Sequence, residues 1–189
     1  MARATIEPYE LNATEEKKWG ETRAALMWNC PAFSSIMYSM LDTVGSDHIA
    51  LFTKSPEVPI AATDGSSLIL NADGFFKVDL AERVFVIAHE ILHCVFDHCG
   101  SSARFQRTGR IAYQDGKKLD FNFETMNVAQ DLVINDALIE SKVGKFPAGG
   151  CHDKTIATHM DSAIDVYRKI YKAPPKNTGF DKHLAPGTS

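Results

Sequence analysis

No uninterrupted apolar run in this sequence reaches even half of the roughly 20 residues that a bilayer-spanning helix needs, so no membrane span is expected. Cysteine is scarce. The four residues Cys30, Cys94, Cys99 and Cys151 form no CxxC pair and no dense disulfide spacing. Reduced thiols in a cytoplasmic protein are the expectation. The opening MARATIEPYE carries acids and a proline where a secretory leader would carry an apolar stretch, which fits that location. Neither sign of charge dominates, with 20 Lys and Arg against 24 Asp and Glu and a formal charge of -4. A strong cationic field is therefore missing, and nucleic acid is not an expected partner. Internal repeats and low-complexity tracts are also absent.

What remains is enough to build a core, because 44% of the 189 residues are hydrophobic. Residues 12–29 predict a helix in which Trp19, Ala24, Leu26 and Met27 recur at helical spacing. Pro31 interrupts it, and FSSIMYSML predicts a second helix. HIALFTK (48–54) predicts a strand, and IAATDGSSLILN (60–71) predicts short strands about a DG turn. Asp79 and Glu82 form a capping box that opens the helix LAERVFVIAHEILHCVFDH. Its apolar stripe of Val84, Ile87, Ile91 and Val95 predicts a largely buried element, ended by Gly100, Ser101 and Ser102. Residues 103–121 are polar, with a hairpin expected about Asp115–Gly116. A strong helix follows over 124–140, then a glycine-proline loop through Gly144, Pro147, Gly149 and Gly150, and a final helix over 161–171. Residues 1–171 are expected to form one domain and 172–189 a tail or linker. Helices and a small sheet interleave without a βαβ rhythm, so the fold class is α+β.

The chemistry-bearing motif is His89-Glu90-Ile91-Leu92-His93, an HExxH sequence on the best-capped helix of the chain. Residues four apart share one helix face, so two imidazoles there can bind one metal ion. Glu90 is offset in angle, where its carboxylate can serve a metal-activated water as general base. A catalytic zinc site needs a third protein ligand and one open position. His98 is a weak candidate, because on a continuous helix it would point about 140° away from His93. It suits the metal's second shell better. The helix over 124–140 carries a polar stripe, Asn127, Asp131 and Asn135, with Asp131 at its centre and Glu124 just beyond. His152 and His159 lie in loop sequence and could also contribute.

The order TDG (63–65), LILN (68–71), AHEILH (88–93), His98, NVAQDLVIN (127–135), the Pro147–Gly150 loop and AIDVYRKIY (163–171) carries a family resemblance. It resembles the N-terminal domain of bacterial and phage metallopeptidases that have a von Willebrand factor A-like C-terminal domain. That resemblance implies a zincin-like fold: a small mixed sheet packed on the HExxH helix and on a second ligand-bearing helix. It implies that Asp131 completes the site with His89 and His93. One catalytic Zn²⁺ is expected there, and His98, Asn127, Asn135 and His152 are this sequence's own candidates for second-shell groups. The resemblance also suggests a partner protein such as an ATPase. Against the family pattern, the basic residue behind the third histidine comes late, at Arg104, and 103–121 looks inserted. No DxSxS motif of the second domain is present, so either the first domain alone or a free-standing form is expected.

The expected function is a zinc-dependent hydrolysis of peptide bonds in a peptide or protein substrate, with Glu90 as general base. Leu68–Asn71 is expected to bind extended substrate as an edge strand. The rival class is a non-catalytic zinc-binding scaffold or regulatory domain acting through partners. A non-haem iron oxygenase is a third, since two histidines and a carboxylate also make an iron triad.

Overall fold

The computed structural model describes residues 6–40 and 50–175. The first two residues of the HIALFTK strand and the tail from 176 onward lie outside the described residues, as do His48 and His183. The architecture is α+β, with seven helices and two small sheets among the described residues.

Helix α1 (Ala13–Asn29) starts at a capping box in which Asn12 accepts from the Glu15 backbone while Glu15 accepts from Asn12. Its inward face is Trp19, Thr22 and Leu26, whereas Met27 points outward. Pro31 occupies the first position of α2 (Pro31–Met40), where a missing N–H costs nothing. Strands β1 (Ala50–Thr53), β2 (Ala61–Thr63) and β3 (Leu68–Asn71) form a sheet in the order β1–β3–β2. Here β3 runs parallel to β1 and antiparallel to β2. Leu68–Asn71 is therefore a central strand and not the edge expected from sequence. Both of its sides are already taken by ladder hydrogen bonds, so an added substrate strand cannot pair with it. The Trp19 ring meets Phe52 of β1 and Phe75, just beyond β3, edge-on at centroid distances of 5.4 and 6.2 Å, joining α1 to the sheet and to the turn that follows it. The short helix α3 (Ala72–Phe75) follows β3 directly.

Helix α4 (Leu80–Val95) opens at the Asp79–Glu82 capping box and is buried continuously from Arg83 to Ile91. Helix α6 (Phe123–Glu140), N-capped by Asn122, packs against it. The loop after α6 returns to the start of α4 at Gly144, whose φ is 61°. A Cβ there would lie 2.5 Å from the Ala81 carbonyl oxygen, so only glycine fits. On its other face α6 meets α7 (Ala163–Ile170) and the hairpin of β4 (Arg110–Ala112) and β5 (Lys118–Asp120). Ile111, Met126, Leu132 and Tyr167 form this second apolar cluster.

Two sequence expectations change around the end of α4. The helix stops at Val95, which is 41% exposed, and Asp97 adopts the left-handed conformation at φ 51°, ψ 42°. Aspartate tolerates that region better than most residues, and the turn redirects the chain into α5 (His98–Thr108). Gly100 to Ser102 thus lie inside a helix and do not end one. Gly100 leaves room for the Asp97 side chain, since a Cβ on it would sit 2.2 Å from Asp97 Oδ1. The polar stretch from 103 is helical to Thr108, and the hairpin about Asp115–Gly116 begins only at Arg110.

Candidate metal centre

His89 and His93 project from successive turns of α4 toward Asp131 on the facing side of α6. Both imidazoles are fully buried and Asp131 is only 2% exposed. His89 Nε2 lies 3.0 Å from His93 Nε2, His93 Nε2 lies 3.3 Å from Asp131 Oδ1, and His89 Nε2 lies 3.7 Å from the same oxygen. Tetrahedral donors around an ion at about 2.05 Å stand about 3.3 Å apart, and this triangle has a point about 2.0 Å from all three atoms. The residues therefore fit a first-row transition ion in both size and donor chemistry. Two imidazoles do not suit magnesium or calcium, which take oxygen donors. Among the described residues this is the one His/Cys/Asp/Glu group so arranged.

Both histidines rest on named neighbours. Asn135, one turn beyond Asp131, places its Oδ1 2.9 Å from His89 Nδ1 and donates from Nδ2 to the Cys151 carbonyl at 2.8 Å. The first residue of α5 places His98 Nδ1 3.0 Å from His93 Nδ1. The left-handed turn at Asp97 makes this approach possible, so His98 meets His93 where a continuous helix would have kept them apart. Glu90 is fully buried on the same helix, between the two histidines in sequence.

The remaining sequence candidates separate clearly. Asn127 is half-buried on α6, and its side chain makes no hydrogen bond among the described residues, while Glu124 is exposed in the first turn. His152 does not join the three donors. Its Nε2 lies 3.0 Å from Oδ1 of Asp136, and the other carboxylate oxygen receives the His159 backbone N–H at 2.8 Å, with His159 Nδ1 also at 2.8 Å. Sequence reasoning missed Asp136, which sits next to Asn135 but off the four-residue stripe. Burial pushes its carboxyl up, yet the bonds from His152 and His159, with Lys154 nearby, outweigh this and hold it at about 2.

Cys94 and Cys151 are not primed as thiolates. Burial pushes the Cys94 thiol up to about 11, and Glu90 and Asp64 add to this while a hydrogen bond with Thr63 opposes it. Cys151 also rises to about 11, first through burial and then through Asp131 and Asp153.

Residues 20–176 match the family model described as a "putative metallopeptidase domain". The chain belongs to this family. No curated protein and no solved structure matches it. The family match includes α4, α5 and α6, and with them every residue of the His-His-Asp cluster and of its supports. A family so described and a buried His-His-Asp cluster sized for a metal ion are consistent with each other. Among the described residues no helix is long and apolar enough to cross a membrane.

Proposed function

We propose that this domain is a zinc-dependent peptide hydrolase with a zincin-like arrangement, and that His89, His93 and Asp131 hold the ion. The observation that carries this reading is the triangle of donors, whose sides of 3.0, 3.3 and 3.7 Å suit one tetrahedral ion and leave its fourth position to a non-protein ligand. A bound zinc ion supplies Lewis acidity, lowering the pKa of a water and polarising a carbonyl. Asp131 balances part of the ion's charge, and the two imidazoles contribute neutral donors.

Glu90 is assigned the proton transfers. Its carboxylate accepts a proton from the water that attacks the scissile carbonyl carbon, and returns it to the amide nitrogen as the C–N bond breaks. The leaving group departs as a neutral amine, and Glu90 is again a carboxylate. What supports the role is placement: Glu90 is held on the rigid α4 helix directly between the two ligand histidines in sequence.

One observation favours the scaffold reading. The three donors and Glu90 are all closed off from solvent, as structural metal sites are. Glu90→Gln separates the two readings. Zinc content is expected to stay at the parental level while hydrolysis of a mixed peptide library falls about 10²- to 10⁴-fold. Parental rates in the variant would remove the general-base assignment. A zinc-loaded parent that cuts no peptide in the library would leave the scaffold.

A further inference from the structure

We infer that Asn135 and His98 are positioning residues that hold both ligand imidazoles in the tautomer whose Nε2 lone pair faces the ion. This rests on the reading that His89 and His93 bind metal. The Asn135 amide can face His89 in only one orientation, because its Nδ2 donates to the Cys151 carbonyl at 2.8 Å. The atom left for His89 is Oδ1, at 2.9 Å, and an amide oxygen only accepts. His89 Nδ1 must then carry the proton, which leaves Nε2 bare and directed at His93 Nε2 and Asp131 Oδ1. The segment ending at Cys151 thus sets the tautomer of a ligand on α4 through one side chain of α6.

His93 obeys the same rule through a different acceptor. Only one proton fits between His93 Nδ1 and His98 Nδ1, which are 3.0 Å apart. A His93 that coordinates through Nε2 carries that proton itself, so His98 Nδ1 accepts it and His98 is a neutral imidazole protonated on Nε2. His98 is 92% buried and is aimed at His93 by the left-handed turn at Asp97, so its ring is held in place by the backbone path. A ligand histidine whose other nitrogen is tied in this way keeps its ring angle and gains basicity, which is worth 10- to 100-fold in metal affinity. The two supports differ in kind, an amide on one imidazole and a second imidazole on the other. Each can therefore be removed separately.

The test is zinc affinity, by competition with a chromophoric chelator, combined with ¹⁵N NMR of the histidine rings in the zinc-loaded full chain. Asn135→Ala and His98→Phe are expected to weaken zinc binding about 10- to 100-fold, whereas His98→Gln, which supplies an amide oxygen as acceptor in place of the ring nitrogen, is expected to lose much less. The NMR measurement needs no substitution, so it decides the matter even if a variant fails to fold. It is expected to show His89 and His93 protonated on Nδ1 and His98 protonated on Nε2. A His98 protonated on Nδ1 in the loaded parent, or variants that bind zinc within threefold of parent, would overturn the inference while leaving the metal site intact. A parent that takes up no zinc would overturn the metal reading and this inference with it.

Discussion

Asp131 Oδ1 lies 3.3 Å from His93 Nε2, a contact that joins two helices grown from separate caps. Each helix buries its site residues among apolar neighbours, Ile87 and Ile91 on α4, Leu132 and Ile134 on α6. The donors are therefore brought together by the same packing that stabilises the core. Bringing two imidazoles and a carboxylate out of water costs free energy, and an ion bound between them offsets that cost.

Removing the metal should therefore destabilise the fold measurably. An ion present at 100 times its Kd stabilises the native state by about 2.7 kcal/mol. At roughly 2–4 °C per kcal/mol for a chain of this size, stripping with a chelator is expected to lower the melting midpoint by about 5–10 °C. Asp131→Ala should melt at the same temperature with and without chelator. Elemental analysis of freshly purified protein is expected to give one zinc per chain, and stoichiometric iron in its place would favour oxygenase chemistry over hydrolysis. A parent whose melting is indifferent to chelator would remove the ion from the stability argument.

Much of this site was legible because its residues repeat at the period of their helix. HExxH announces itself on α4, and the Asp79–Glu82 box fixes where that helix starts. Asp131 and Asn135 stood out as a stripe every four residues, and the structure turns both inward while leaving Asn127 half-buried. The break at Asp97 was not legible, since a single left-handed residue leaves no periodic trace. Helix α5 was hidden for a related reason. Its buried residues, His98, Cys99 and Ser102, are polar or small and show no apolar stripe. The central place of β3 depends on a parallel partner from an earlier segment, and alternation within LILN does not encode a neighbour. Asp136 was missed because its partners come from a loop whose path no local pattern specifies.

The Asp136 clasp predicts how the domain responds to acid. Its carboxyl is held at about 2, against an ordinary value of 3.8, by hydrogen bonds from His152 and His159 that outweigh the cost of burial. A carboxyl depressed in the folded state contributes its full stability above the unfolded value, and that contribution is lost as pH falls through the folded one. The loss is therefore expected between about pH 4 and pH 2. Asp136→Asn should cost about 1–3 kcal/mol at neutral pH and show a shallower decline across that window. Urea midpoints of parent and variant at pH 7, 4 and 2.5 provide the measurement. Equal losses in both proteins below pH 4 would place the acid sensitivity elsewhere.

The turn at Asp97 offers a way to disturb the metal centre without touching a ligand. Its φ of 51° and ψ of 42° suit glycine and are tolerated by aspartate, but a β-branched side chain there costs about 1–2 kcal/mol. Asp97→Gly relieves backbone strain and loses an exposed ion pair with Arg104, whose contribution is small, so near-parental stability is expected. Asp97→Val favours continuing α4, which would swing His98 about 140° around the axis and away from His93. Its zinc affinity should fall by about tenfold or more, in line with losing the acceptor on His93 Nδ1. Adding His98→Phe to Asp97→Val should then weaken binding little further, because both changes remove the same support. If the two losses instead add in full, the turn does not act on the metal centre through His98.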